Sequence, residues 1–196
     1  MATKIGIIAE DESDVDVIKE ILGIYIPANN FGTKKFVGKG CGKLRAKCAA
    51  WTTNLVAMGC EHILIFHDLD RYDEHTLRKE LSAKIELTGF KNTLIVIPVE
   101  ELESWLLSDM EAIKEIFSIQ KKIKPLGPSE KIKSPKEQLQ KLVKRYSKKT
   151  YINTIHNKKI ASKLRIQELM NCKSFHPLNQ YLNSQFKRHE PPHCNP

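Results

Sequence analysis

Short apolar runs alternate with spaced apolar positions along most of the chain. Residues 5–9 (IGIIA) form an apolar run that stops against acids and predict a buried strand. Beyond it, Val15, Ile18, Ile21, Leu22 and Tyr25 recur at helical spacing. Ser13 stands where an N-cap belongs, and Asp14 and Asp16 fall in the first turn, where carboxylates favour the helix dipole. This helix is expected to end between Gly23 and Ile26, before Pro27. Residues 34–37 predict a second strand, followed by a loop on Gly38, Gly40 and Gly42. Residues 44–58 predict a helix closed by Gly59. Residues 62–66 (HILIF) read as a strand covered on both faces. A charged amphipathic helix over 74–87, an apolar strand over 93–97 stopped by Pro98, and a helix over 101–117 complete the series.

Alternation of this kind implies an α/β fold with a mostly parallel sheet of about four strands flanked by helices. After Phe117 the strand pattern ceases. Ser134, Pro135 and Glu137 fit the N-cap, N1 and N3 positions of a helix running to about 147, and 158–164 and 177–186 predict two more. The expected organisation is an α/β core over 1–118, a basic helical extension over 119–188 and a flexible tail over 189–196.

Charge sharpens this division. Residues 119–165 carry fifteen Lys/Arg against two acids, although the whole chain of 196 residues has a net charge of only +9. Such a block attracts polyanions by neutralising phosphates and releasing counterions. Lys158, Lys159 and Lys163 flank one short helix and are candidate nucleic-acid contacts, with Lys39 and Lys43 of the glycine loop. A solvated lysine-rich surface is the bland alternative. The five cysteines are irregularly spaced without a CxxC pair, which points to reduced packing thiols. His189, His193 and Cys194 gather in the Pro-rich end and read as part of a frayed tail rather than a metal site. No run approaches the roughly 18–20 apolar residues of a membrane span, and no signal peptide pattern opens the chain, so a cytoplasmic protein without membrane contact is expected.

The acids are the chemically telling residues. In open parallel sheets, ligands bind beyond the carboxyl ends of the strands. Glu10, Asp11 and Glu12 follow the first expected strand, Asp68 and Asp70 the third, and Glu100, Glu101 and Glu103 the fourth. Like charges brought together need a cation or protons. Hard oxygen ligands in this number suit Mg²⁺ or Mn²⁺, and a pair of such ions about 3.5–4 Å apart can cleave a phosphodiester. For any one of these acids, a solvated loop or a helix start is the competing explanation.

The segments IGIIAEDESD and ILIFHDLD together resemble a TOPRIM domain, shared by topoisomerases, primases and the nucleases of the OLD family. There, one strand ends in Glu, usually followed by Gly, with an acid four residues on, and a second hydrophobic strand ends in D-x-D. Glu10, Asp14, Asp68 and Asp70 match these positions, while Asp11 replaces the usual Gly. The resemblance covers residues 4–107. The segments VEELESWLLSD, SPKEQLQKLV and CKSF are similar to small stand-alone prokaryotic TOPRIM proteins linked to phage defence and abortive infection, often beside an ABC-type ATPase. The resemblance implies a metal-dependent nuclease acting on DNA or RNA. Glu10 would serve in proton transfer or as a ligand, Asp68 and Asp70 would hold the catalytic metal, and Asp14 and Glu103 would complete a second position. It also implies an ABC/AAA-type ATPase or a second copy of the chain as partner.

Other readings compete. A non-catalytic module that binds metal, nucleic acid or a partner would use the same residues. A receiver-like signalling domain would account for Glu10, Asp11, Asp68 and the Lys124-Pro125 pair, but that pair follows a polar segment, and Asp70 has no role there. The GKGCGKL segment has one residue too few between its glycines for a P-loop, and Leu44 stands where Ser or Thr must ligate Mg²⁺.

Overall fold

The computed structural model describes residues 2–124 and 126–186. Pro125 and the tail cluster of His189, His193 and Cys194 lie outside the described residues. Four strands, β1 (Thr3–Ala9), β2 (Phe31–Val37), β3 (His62–Phe66) and β4 (Thr93–Val96), form one sheet in the order β2-β1-β3-β4. Every pairing is parallel, with Ile7 opposite Lys35 on one side and Leu64 on the other. The fold is α/β, as the alternating pattern predicts.

Strand side chains alternate between two cores. Ile8, Ile63 and Ile65 face Leu44 and Leu55 of α2 (Cys41–Ala57) and Leu77 and Leu81 of α3 (Glu74–Glu86). Gly6 sits on that side, where an added Cβ would come within 2.7 Å of Ile63 and 2.9 Å of Leu55, so α2 approaches β1 closely only because the residue is glycine. Ile5, Ile7, Leu64 and Phe66 face the opposite way, toward Ile18 and Leu22 of α1 (Glu12–Tyr25) and the fully buried Trp105.

That second core continues into the basic segment. Four further helices follow Phe117: α6 (Pro135–Tyr146), α7 (Asn153–Ala161), the short α8 (Ile166–Leu169) and α9 (His176–Gln185). Leu139, Val143, Ile160, Phe175 and Leu182 join Ile5, Ile18 and Trp105 in one cluster. These helices therefore cover one face of the sheet, with α7 against α1 and α9 against β4. Among the described residues, no helix is long and apolar enough to cross a membrane.

Several helix starts differ from expectation. The expected helix over 101–117 is broken into α4 (Glu103–Leu106) and α5 (Met110–Phe117). Asp109 makes the break: its carboxylate accepts the Ala112 amide at 3.2 Å, capping α5, and is clasped by the Arg165 guanidinium at 2.7 and 2.9 Å. The N-cap of α1 is Asp11, not Ser13, because Asp11 accepts the Ser13 amide while Asp14 returns the bond to the Asp11 amide at 2.9 Å, a reciprocal capping box. Helix α6 does begin with Pro135, but Ser134 is left-handed at φ 50° and its side chain caps nothing. The Lys136 amide is bound instead by the Glu101 carboxylate at 2.9 Å.

Candidate metal centre

Because the sheet is parallel, the ends of β1, β3 and β4 open onto one edge. Hydrogen bonds tie the loops there. Glu10 Oε1 accepts the Asp68 amide at 3.1 Å, linking the end of β1 to that of β3. Asp68 Oδ1 in turn accepts the Leu102 amide at 3.1 Å, linking β3 to the segment after β4. The Asp70 amide donates to the Glu100 carbonyl at 2.9 Å, with both residues in the left-handed region (φ 48° and 60°). Asp tolerates that conformation better than Glu does, so the turn around Glu100 is the costlier one.

Glu103 is held from the C-terminal helices. It is 5% exposed, and its Oε1 accepts the Asn157 amide at 3.1 Å and lies 3.3 Å from the Tyr151 hydroxyl. The hydroxyl donates to Asn157 Oδ1 at 2.5 Å. Burial first, and then the Glu103 charge, push the Tyr151 phenol far above its ordinary range. Asp14, projecting from the first turn of α1, is also buried.

Glu10, Asp14, Asp68, Asp70, Glu101 and Glu103 line one cavity of about 550 Å³. Among the described residues, its cationic lining is Lys39, after β2, and Lys136, at the start of α6. The acids are strongly perturbed. Burial, with the Asp70 charge adding to it, pushes Glu10 up to about 7 against the opposing bond from the Asp68 amide. Burial and the nearby Glu103 push Asp14 up to about 8. Asp68 rises well above the carboxylate range through burial and the charges of Asp14, Glu10, Glu103 and Asp70. Near neutral pH the cluster must hold protons where a cation could neutralise it.

The donors fit a hard divalent cation. All are carboxylate oxygens, without thiol or imidazole among them, the set that suits Mg²⁺ or Mn²⁺ rather than zinc. Among the described residues, however, no group of three or more His, Cys, Asp or Glu side chains is drawn together as a ready-made metal shell. The acids stand around the cavity rather than closing on a point.

All five predicted metal-ligand candidates, Glu10, Asp14, Asp68, Asp70 and Glu103, line this cavity. Glu100, the alternative to Glu103, faces an adjoining hollow instead. The lysines divide. Lys39 lines the cavity, whereas Lys43 is exposed on α2 and is not part of the lining. Lys158 pairs with Glu20 of α1 at 3.8 Å, and Lys159 is exposed on the same helix. Lys163 pairs with Glu115 at 2.7 Å and borders a separate hollow with Arg165. In the glycine loop, the Gly38 and Lys39 amides are already engaged by the Ala9 and Glu10 carbonyls at 2.9 Å each, so they cannot cradle a phosphate.

Other participants had no specific signal in the sequence. Glu101 is one of the strand-end acids without a distinct role there, and Lys136 one lysine among many. Asn157 and Tyr151 carry no local signal, since their role depends on α7 folding back against the site. His67 is also new: fully buried, its Nδ1 lies 2.6 Å from the Asp68 carbonyl and 3.3 Å from Glu10 Oε1. Because a carbonyl only accepts, Nδ1 carries the proton and donates it to the Asp68 main chain, with Glu10 Oε1 close beside it.

The family described as Domain of unknown function (DUF4276) matches residues 9–183. The chain belongs to this family. The DUF4276 match opens at Ala9, beside Glu10, and closes within α9, so it takes in both the acid-lined edge and the C-terminal helices that brace it. No curated protein and no solved structure matches the chain.

Proposed function

We propose that this protein is a metal-dependent nuclease that hydrolyses phosphodiester bonds in DNA or RNA. The observation that carries the reading is the convergence of five carboxylates from three strand ends and α1 on one cavity, with Glu10, Asp14 and Asp68 all pushed toward protonation. The TOPRIM resemblance of the same residues supports it independently of the geometry. Asp68 and Asp70 would hold one Mg²⁺ or Mn²⁺ and Asp14 and Glu103 a second, with Glu10 serving either as a further ligand or as the proton-transfer group. Bound there, such ions polarise a phosphate and make water a better nucleophile near neutral pH.

The chain's own residues do the rest. As the proton-transfer group, Glu10 is fixed at the end of β1 by the Asp68 amide, where it takes up or returns a proton near neutrality. Asn157 keeps the Glu103 carboxylate aimed at the cavity. Lys39 and Lys136 flank the cavity and hold the substrate phosphates. Work within a phage-defence system, an ABC/AAA-type ATPase partner, a homodimeric state and a cytoplasmic setting belong to the same proposal and rest on the resemblance.

The test is cleavage of single- and double-stranded DNA and RNA by the purified chain, alone and with an ATPase encoded beside it. Cutting in Mn²⁺ or Mg²⁺, abolished by EDTA and by Asp68→Asn, is the expected result. If nothing is cut under any of these conditions, the residues serve a binding module and the nuclease reading falls.

A further inference from the structure

The acid cavity has a neighbour. A hollow of about 410 Å³ shares Asp70 and Glu101 with it and is otherwise lined by Arg71, Tyr72, Glu100 and Ser134. Its distinctive member is Tyr72, a large aromatic residue that is 43% exposed. The ring is nonetheless held in place. The Arg45 guanidinium lies over it, 5.0 Å from the centroid, and the buried His67 ring meets it nearly edge-on at 6.2 Å. Arg45 is itself anchored by an ion pair with Glu80. Within the loop, the Tyr72 amide donates to the Leu69 carbonyl at 2.9 Å. One short turn therefore carries Asp68, Asp70 and Tyr72 together, with the aromatic fixed next to the acids.

We infer that Tyr72 is a stacking platform for an unpaired nucleobase adjoining the scissile phosphate, so that the substrate is single-stranded or locally unpaired nucleic acid. This inference rests on the reading of the acid cavity as a phosphodiester site. Charge decides which part of a nucleotide enters the hollow. Three carboxylates line it against the single Arg71, so a phosphate is disfavoured there, whereas a neutral planar base is not. Those carboxylates also accept hydrogen bonds from exocyclic amines. The phosphate is left to the larger cavity, whose acids would be offset by the metal ions of the proposed function and whose lining includes Lys39 and Lys136. A base within a duplex cannot reach the ring without leaving its stack, while an unpaired one can.

The experiment titrates the full chain, in Ca²⁺ to slow cutting, into single-stranded oligonucleotides carrying the fluorescent base 2-aminopurine, in DNA and RNA forms, with duplexes of the same sequence for comparison. Cleavage in Mn²⁺ is followed in parallel. Stacking predicts strong fluorescence quenching and tighter binding of single strands by the wild-type chain and by Tyr72→Phe. Tyr72→Ala and Tyr72→Leu are expected to lose the quenching and about tenfold in affinity. Wild-type quenching and affinity in Tyr72→Ala, in a chain that still cuts nucleic acid, would overturn the stacking role and leave the nuclease reading standing. Failure of the wild-type chain both to bind and to cut any strand would overturn the nuclease reading and the stacking role with it.

Discussion

The Asp68 amide donates to the Glu10 carboxylate across 3.1 Å, so the acid that ends β1 is positioned by the one that follows β3. Glu10→Gln keeps an acceptor for that amide and removes the charge. Its rate of cleavage is expected to fall by about 100-fold or more, the usual scale for losing a proton-transfer group. Its melting temperature, read in EDTA near pH 8, should be no lower than wild type, because the substitution removes a repelled, half-buried charge. Glu10→Ala, which also deserts the Asp68 amide, should melt lower than Glu10→Gln.

The perturbed acids give the metal-free protein an unusual pH response. Folded-state values of about 7 for Glu10 and about 8 for Asp14 lie above those of an unfolded chain. Between about pH 4.5 and pH 8 the folded state therefore binds more protons at these two sites than the unfolded state does. Stability is fully present below that window and is lost as pH rises through it. Thermal melts in EDTA should show the protein more stable near pH 5 than near pH 8, by an amount on the order of a few kcal/mol. Mn²⁺ should cancel the loss at pH 8. A melt that rises steadily from pH 5 to 8 in EDTA would contradict these values.

Much of this site was legible in the sequence because strand-end acids are set by local rules. A parallel sheet places every carboxyl end on one edge, so the apolar runs that identify β1, β3 and β4 also place Glu10, Asp68 and Glu103. Asp14 was legible as a first-turn acid, though not as the partner of the Asp11 amide. What could not be read was the return of α7 and α6 to the same edge. Asn157 bonds Glu103 and Glu101 bonds the Lys136 amide only because the C-terminal helices share the core of α1, and no local periodicity encodes that docking. For the same reason, Lys158 and Lys163, picked from charge density, face other partners.

Asn157 is the clearest of these long-range supports. It is fully buried, and both ends of its amide are engaged, by Glu103 and by Tyr151. Asn157→Ala leaves a buried carboxylate short of a donor and should cost about 1–3 kcal/mol in chemical denaturation. In a Glu103→Gln background the cost should shrink, since the stranded group is no longer charged. Equal costs in the two backgrounds would show that Asn157 acts by packing alone.

The cavity lysines should differ from the remainder of the basic block. Lys39 and Lys136, proposed to hold phosphates, should each on replacement by Ala lower the salt dependence of nucleic-acid binding by about one counterion. Lys163→Ala, whose ammonium is paired with Glu115, should leave that slope unchanged. Binding isotherms over a range of salt concentrations measure this directly.

The carboxylates around the cavity are proposed as a divalent-metal site. Calorimetric titration of the full chain with Mn²⁺ at pH 7 tests it most directly. Two ions per chain are predicted, with proton release as Glu10, Asp14 and Asp68 give up their protons; Asp68→Asn should abolish the tighter site and Asp14→Asn the second. Absence of binding by the wild-type chain, or binding that survives both substitutions unchanged, would contradict it.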